Sequence, residues 1–268
     1  MKYNICIIFD TMALVDKGIY DSFAQAKKTG QKKFAVLIDP DKVRMDNMQQ
    51  VIDQAAEAQV DYFFIGGSLI VNNMLDHCLE SIKKKCDIPM VLFPGNSFQL
   101  SYKADALLFL SLISGRNAEL LIGKHVVTAP YLRVSPLEIL STGYMLIDGG
   151  VSTTVSYISN TQPIPANKPD VAMCTALAGQ MLGLKMIYMD AGSGAANPIN
   201  RDMIEMVSGT IDIPLIVGGG IRTPEKALEN VQAGADVVVV GNALEKDPGL
   251  LKDIAAAVHS ESGVRATS

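Results

Sequence analysis

The stretch Pro214-Leu215-Ile216-Val217-Gly218-Gly219-Gly220-Ile221-Arg222-Thr223-Pro224-Glu225 contains one complete unit of an α/β fold. An apolar run of strand length ends in three glycines. Thr223 then stands as an N-cap before a proline at the first position of a helix. A strand, a glycine turn and a helix in direct succession are typical of parallel sheets, whose strands are joined by right-handed helical crossovers.

The same unit recurs along the chain, and eight apolar runs give the strand number of a (β/α)8 TIM-type barrel. The predicted strands are Phe34–Asp39, Tyr62–Gly67, Met90–Pro94, Ala106–Leu112, Tyr144–Asp148, Met186–Asp190, Pro214–Gly218 and Val237–Gly241. The predicted helices are Asn47–Ala58, Val71–Lys85, Asn117–Val127, Val171–Leu182, Arg201–Ser208 and Glu225–Gln232. We expect one barrel domain over residues 1–268, with residues 1–33 as an extension that forms an extra helix packed on the barrel.

The interval between the third and fourth predicted strands, Gly95 to Asp105, is too short for a usual parallel crossover. We therefore expect the third barrel helix to be missing or replaced. A lateral opening at this place would suit an apolar substrate. A second irregular segment, Pro163–Pro169, is interpreted as a long functional loop inside the barrel pattern.

Composition excludes several classes of protein. A net charge of −5 argues against a nucleic-acid partner, because such proteins usually carry a basic face. No uninterrupted apolar run is long enough for a transmembrane segment, and none resembles a secretion signal. Four cysteines without C-x-x-C spacing indicate reduced thiols in a cytoplasmic protein. The three histidines lack the spacing of metal ligands, so zinc is not expected.

Glycines at the last three strand ends predict a phosphate site. They occur in Tyr188–Gly194, in Gly218–Arg222 and at Gly241-Asn242. Glycine allows the backbone to approach an anion closely, and the loops after the last barrel strands commonly bind phosphate. The alternative is that each glycine only forms a tight turn, but three such strand ends in succession favour the phosphate site.

A metal site is predicted at the ends of the first two strands. Asp39 follows strand one, where a carboxylate can hold a Mg²⁺ ion that keeps most of its waters, and the hydroxyl of Ser68 can complete the site. The alternative for Asp39-Pro40 is an ordinary turn. Asp148, in Asp148-Gly149-Gly150, is interpreted first as a turn residue and only second as a site residue.

Five segments in order resemble the geranylgeranylglyceryl phosphate synthase family, over roughly Phe34 to Leu244. They are Phe34–Lys42, Ile65–Ser68, Gln162–Pro169, Tyr188–Ala195 and Val217–Arg222. Tyr-x-Asp/Glu-Ala-Gly-Ser-Gly is the specific motif, whereas Gly-Gly-Gly-Ile-Arg also occurs in other phosphate-binding barrels. The family also replaces the third barrel helix.

The resemblance implies a Mg²⁺-dependent prenyltransferase that joins the 3-hydroxyl of sn-glycerol 1-phosphate to a polyprenyl diphosphate, with geranylgeranyl as the expected chain. Asp39 and Ser68 would bind the metal, and Asp190 and Tyr188 would be catalytic. The glycerol 1-phosphate site would consist of Tyr188, Met189, Asp190, Ala191, Gly192, Ser193, Gly194, Gly219, Gly220, Gly241 and Asn242. The resemblance also implies a homo-oligomer, either dimer or hexamer, and is compatible with peripheral membrane contact during product release.

Two positions depart from the family pattern. Leu37 stands where some relatives have a lysine, and Asp190 stands where archaeal members often have glutamate. The extended amino terminus and the Leu-Ile-Asp-Pro-Asp-Lys segment look most like the larger subgroup, which includes archaeal and bacterial enzymes.

Two other functions remain as alternatives. The first is another phosphate-binding barrel enzyme, such as a sugar-phosphate isomerase, with Asp39 and Asp148 as its acid–base pair. It leaves Ser68 and the Tyr188–Gly194 segment unexplained. The second is a non-catalytic binder of prenyl or phosphate groups, and the combination of Asp39, Ser68 and Asp190 argues against it.

Overall fold

Eight parallel strands close into a barrel in chain order, which confirms the predicted fold class. The computed structural model describes residues 14–41, 45–72, 74–241 and 249–263. The strands are β1 (Lys33–Ile38), β2 (Tyr62–Gly67), β3 (Met90–Pro94), β4 (Ala106–Leu112), β5 (Glu138–Leu146), β6 (Met186–Asp190), β7 (Leu215–Gly218) and β8 (Val237–Val240).

Helices surround the barrel and follow most of the strands. They are α1 (Ile19–Thr29), α2 (Met45–Glu57), α3 (Leu75–Lys83), a π-helical turn (Glu119–Gly123), α4 (Lys124–Arg133), α5 (Thr154–Ser159), α6 (Pro169–Met181), α7 (Arg201–Ser208), α8 (Pro224–Gln232) and α9 (Leu250–Ser260). Thr223 caps α8 as predicted, because its side chain accepts a hydrogen bond from the Lys226 N–H.

Residues 95–105, all of which the structure describes, contain no helix. The prediction of a missing third helix is therefore confirmed. The side chain of Gln99 bridges this connection to the neighbouring loop: it accepts a hydrogen bond from the Gly95 N–H and donates one to the Gly67 carbonyl, each at 3.0 Å. The segment is thus held against the end of β2.

Several predicted bounds are wrong. β5 covers Glu138–Leu146 instead of Tyr144–Asp148. The predicted helix Asn117–Val127 is a π-helical turn followed by α4, which continues to Arg133. The helix predicted from Val71 begins at Leu75. The Pro163–Pro169 loop follows the short helix α5, which the prediction omitted, and not β5 itself.

Two apolar clusters divide the core according to the alternation of side chains along each strand. One fills the barrel interior and includes Phe64, Tyr188 and Val239. The other lies between the strands and the outer helices and includes Phe63, Met189 and Val238. Because adjacent strand residues belong to different clusters, strand register decides which side chains can reach the barrel mouth.

The described part of the predicted extension packs on the barrel through one buried carboxylate. Oε2 of Glu138 accepts hydrogen bonds from the Lys17 and Ile19 backbone N–H groups, and Oε1 accepts one from Tyr20. These donors lie at the amino terminus of α1, where negative charge is favourable. The ring of Phe23 packs edge-on against Tyr62 and closes the amino-terminal end of the barrel. Within the described residues, no helix has the length and apolar character needed to cross a membrane.

Candidate active site

A buried carboxylate lies at the carboxyl end of β6, in the barrel mouth. Asp190 is only 7% exposed, and its Oδ1 accepts a hydrogen bond of 2.7 Å from the Gly192 N–H. Burial raises the pKa of Asp190, and this effect outweighs the hydrogen bonds from Tyr144 and Gly192 that lower it. The carboxylate is therefore more basic than an exposed aspartate.

Two glycine loops border Asp190. Gly192 and Gly194 after β6, and Gly219 and Gly220 after β7, all have positive φ. Arg222 ties the loops together, since its guanidinium donates to the carbonyls of Ala195 at 2.5 Å and Ala196 at 3.4 Å. Backbone N–H groups in such loops form concave sites that suit an anion such as phosphate.

An aromatic cluster lies below the carboxylate in the barrel interior. Tyr188 is buried and stacks on Phe93, with ring centroids 5.2 Å apart. Tyr144 packs edge-on against both Phe93 and Tyr188. Its hydroxyl donates a hydrogen bond of 2.7 Å to Oδ2 of Asp190. The pKa of each tyrosine is raised well above its ordinary value, by burial first and then by the Asp190 carboxylate, so both keep their protons.

Asp39 lies against the end of β2, where the sequence predicts a metal site. A β-carbon on Gly67 would be 3.1 Å from Oδ2 of Asp39, so a glycine allows this close approach. Ser68 follows directly. Oδ1 of Asp39 also accepts a hydrogen bond of 3.1 Å from the Asp41 N–H, the contact expected of the turn alternative. A carboxylate and a hydroxyl are ligand types that suit Mg²⁺, which retains several waters and binds through few protein ligands. Among the described residues, no group of three or more His, Cys, Asp or Glu side chains is arranged to hold a metal ion.

An apolar groove opens where the third helix is missing. Its wall includes Gly67 and Ser68 at the end of β2, Phe93 and Tyr144 from the aromatic cluster, and Leu132 on α4. Lys124 and His125 are the basic residues among those that line it. Burial lowers the pKa of His125, which favours its neutral form. The groove thus runs beside β4 and reaches Tyr144, whose hydroxyl contacts Asp190.

The structure brings together most of the predicted site residues, although their roles differ in detail. Met189 points into the layer between strands and helices, so only its backbone is available at the mouth. Ala191 is buried, Ser193 is exposed, and Gly241 lies against Leu37. Asn242 falls outside the described residues. Asp148 is exposed, and its Oδ1 accepts a hydrogen bond from the Gly150 N–H, as expected of a turn residue.

Tyr144 is the site residue that sequence reasoning missed. It lies within a predicted strand, but no motif marks it. Its importance follows from the register of β5 and β6, which pairs Tyr144 with Tyr188 and Leu146 with Asp190. The only sequence signal was that Tyr144 is the one aromatic residue near the end of β5, where its neighbours in the strand are aliphatic or small.

Comparison with known proteins places this site in a family. The PcrB family model matches residues 27–259. The geranylgeranylglyceryl phosphate synthase of Chitinophaga pinensis is 58% identical over 92% of this chain and 98% of that protein. The enzyme of the same name from Thermococcus gammatolerans is 36% identical over 94% of this chain and 100% of that protein.

A solved structure shows the same fold. The crystal structure of (S)-3-O-geranylgeranylglyceryl phosphate synthase from Thermoplasma acidophilum, in complex with its substrate sn-glycerol-1-phosphate, matches with a TM-score of 0.85. The two sequences are 31% identical, and the match covers 90% of this chain and 98% of that one. The barrel, the glycine loops and these relatives agree: the chain belongs to the geranylgeranylglyceryl phosphate synthase (PcrB) family of prenyltransferases.

Proposed function

We propose that this protein transfers a prenyl group from a polyprenyl diphosphate to the 3-hydroxyl of sn-glycerol 1-phosphate and so forms an ether lipid precursor. The observation that carries the proposal is the position of Asp190. Its buried carboxylate lies between the glycine loops on one side and the aromatic end of the apolar groove on the other. A polar phosphate ester and an apolar chain can therefore meet at one basic group.

Glycerol 1-phosphate would bind through its phosphate at the loops after β6, β7 and β8. The backbone N–H groups of Gly194, Gly219 and Gly220 would face the phosphate there, and a β-carbon on Gly194 would meet nothing within 4 Å, which leaves space for a ligand. The phosphate would place the glycerol hydroxyl beside Asp190. Holding the hydroxyl in the reactive position lowers the entropic part of the activation barrier, compared with an encounter in solution.

Asp190 would accept the proton of the 3-hydroxyl as that oxygen attacks the prenyl carbon. A general base works best when its pKa approaches the operating pH, and burial moves the pKa of Asp190 in that direction. Tyr188 would assist from the same strand: its buried ring forms the floor below Asp190. The dry aromatic surroundings would also protect the reacting carbon from water.

The groove would hold the prenyl chain. It begins at Ser68 and Phe93 and continues along α4 to Leu132, so its wall is mostly apolar. The short β3–β4 connection forms part of the rim. This arrangement supports the expectation that the missing helix provides access for an apolar substrate.

Asp39 and Ser68 would hold Mg²⁺ beside the entrance of the groove. When bound, the ion would supply positive charge that stabilises the diphosphate leaving group. The loop that carries Asp39 is tied to the next one, because the Asn72 N–H donates to Oδ1 of Asp41 at 3.1 Å. Asp39 is therefore supported by a connected pair of loops.

The alternative of a sugar-phosphate isomerase has less support. It requires Asp39 and Asp148 as an acid–base pair, yet Asp148 is exposed and occupied in a turn. The buried and more basic carboxylate of the mouth is Asp190 instead. An isomerase would also have no use for a groove lined mainly by apolar side chains.

We further propose a homo-oligomer in the cytoplasm. The π-helical turn exposes Ile122, and α4 exposes Val126, Val127 and Tyr131. Large exposed apolar surface commonly marks a protein interface. The free cysteines Cys78, Cys86 and Cys174 suit a reducing compartment. Sedimentation analysis tests the assembly: a dimer or hexamer is expected, and a monomer at high concentration would contradict it.

The experiment for the main proposal is incubation with sn-glycerol 1-phosphate and prenyl diphosphates of several lengths, with and without Mg²⁺, followed by mass spectrometry of the lipid product. We expect an ether product that requires Mg²⁺ and decreases sharply in Asp39→Asn, which keeps the side-chain shape and removes the charge. Full activity of Asp39→Asn, or of the wild type in excess chelator, argues against the metal site.

A further inference from the structure

The carboxylate of Asp190 is held at both of its oxygen atoms. Oδ1 accepts the Gly192 N–H at 2.7 Å, and Oδ2 accepts the Tyr144 hydroxyl at 2.7 Å. The first bond is local, since Gly192 is two residues away. The second comes from a different strand, 46 residues earlier in the chain. Tyr144 is therefore the side chain that fixes the carboxylate relative to the rest of the barrel.

The ring of Tyr144 is itself fixed in place. Its centroid lies 5.9 Å from that of Phe93 and 5.6 Å from that of Tyr188, and both contacts are edge-on. Edge-on packing of this kind favours one ring orientation over others. The hydroxyl therefore points to one place, the Oδ2 atom of Asp190. Since Tyr144 also lines the groove, it connects the groove wall directly with the carboxylate.

We propose that Tyr144 is a positioning residue for Asp190, which aims the carboxylate at the junction of the groove and the glycine loops. The effect on catalysis rests on the proposed function. The hydrogen bond from Tyr144 to Asp190 and the ring packing do not depend on that function. The Tyr188–Gly194 motif does not include Tyr144, because Tyr144 lies on a different strand, β5.

The charges around Asp190 agree with this role. Tyr144 on β5 and Tyr188 on β6 are the titratable side chains that interact with it among the described residues, and β7 presents only glycines. Both phenols stay protonated, and the Tyr144 hydroxyl opposes the rise in the pKa of Asp190 that burial causes. Loss of this hydroxyl should make the carboxylate still harder to ionise.

The test is Tyr144→Phe, which removes the hydroxyl and keeps the ring. The acidic limb of the kcat–pH profile should move to higher pH by about one unit. Turnover on this acidic limb should fall by up to about tenfold, and raising the pH should restore it in part, because the carboxylate then ionises. Tyr62→Phe is the matched control. It removes another buried hydroxyl, which donates to Oγ of Ser22 at 2.7 Å near the opposite end of the barrel, and it should leave the profile unchanged.

A second readout needs no turnover. The carboxyl band of Asp190 is assigned by infrared difference between each protein and its Asp190→Asn derivative, and its titration is followed without substrates. A midpoint that moves to higher pH in Tyr144→Phe, but not in Tyr62→Phe, supports the proposal even if the wild type makes no ether product. An unchanged midpoint, or a kcat profile identical to that of the wild type, overturns it.

Discussion

Gly219 and Asp190 pack so closely that a β-carbon on Gly219 would lie 2.6 Å from Oδ1 of Asp190. The same atom would lie 2.7 Å from the backbone nitrogens of Ala191 and Gly192, and Gly219 has a φ of +83°. Only glycine satisfies both the contact and the backbone conformation without strain. The loop after β7 therefore determines where the carboxylate of β6 can be.

Gly219→Ala should lower kcat at saturating substrate by about tenfold or more, because the added methyl group displaces the general base. Gly183→Ala is the control. Gly183 also has a positive φ, of +86°, but a β-carbon there meets nothing within 4 Å, and the residue lies between α6 and β6. Steady-state kinetics should show normal turnover for Gly183→Ala. Equal loss of turnover in the two variants would mean that backbone strain, and not the position of Asp190, is responsible.

Gly194→Ala should act on binding and not on turnover. Gly194 has a φ of +82° and open space above it, so alanine carries the same backbone strain as in Gly183→Ala. Its methyl group would enter the proposed phosphate site and weaken a charge-assisted hydrogen bond, so the KM for glycerol 1-phosphate should rise about tenfold. Titration calorimetry with glycerol 1-phosphate checks the prediction. If a folded Gly194→Ala protein bound glycerol 1-phosphate with wild-type affinity, the phosphate would not bind at this loop.

Leu132→Phe should shift the preference of the enzyme toward shorter prenyl diphosphates. Leu132 is buried at the carboxyl end of α4 and lines the groove beside β4. The bulkier phenylalanine ring would reduce the groove volume that is available to a long prenyl chain. Overpacking of this kind typically costs about 1–3 kcal/mol. The measurement is kcat/KM across a series of chain lengths. Tyr131→Phe, on the exposed neighbour, should leave the series unchanged, and an unchanged series in Leu132→Phe would place the chain elsewhere.

Asp61 should make stability depend on pH. Burial raises its pKa, but hydrogen bonds from His259, the Phe34 N–H and Lys33 more than offset this, so the pKa lies below the ordinary value of 3.8. A lowered pKa stabilises the fold above the ordinary value, and the stabilisation is lost as pH falls through the folded-state pKa. Asp61→Asn should therefore cost about 1–2 kcal/mol at pH 7.

Urea denaturation of the wild type and of Asp61→Asn at a series of pH values measures this difference. It should be largest near neutral pH and should shrink below about pH 4. Asp76→Asn is the exposed control, and loss of its surface ion pair with Lys103 should matter less. A difference that stays constant over the whole range would exclude ionisation as its cause.

The strands could be predicted well because parallel strands buried on both faces form continuous apolar runs. β2, β3, β4 and β6 have the predicted bounds. β5 was misjudged at its start, where Glu138, Ser141 and Thr142 interrupt the apolar run. Glu138 belongs to the strand because it binds the amino terminus of α1, a tertiary contact that no local pattern shows.

Two helices were absent from the prediction for different reasons. α5 is six residues long, and its capping box uses Ser156 in place of the usual glutamate or glutamine. α9 carried a clear signal, since Leu251, Ile254, Ala255 and Val258 follow helical spacing and are all buried. In the site, glycines and carboxylates at strand ends were predictable. Tyr144 was not, because its contact with Asp190 depends on the register between β5 and β6.

The most direct test of the central claim is a single-turnover reaction of sn-glycerol 1-phosphate with geranylgeranyl diphosphate, catalysed by the wild type and by Asp190→Asn. The wild type should form the glyceryl ether and release diphosphate in equal amounts. Asp190→Asn should bind both substrates and react about 10²–10⁴ times more slowly, because the general base is missing. Ether formation at the wild-type rate in Asp190→Asn, or no ether at all with the wild type, would contradict the account.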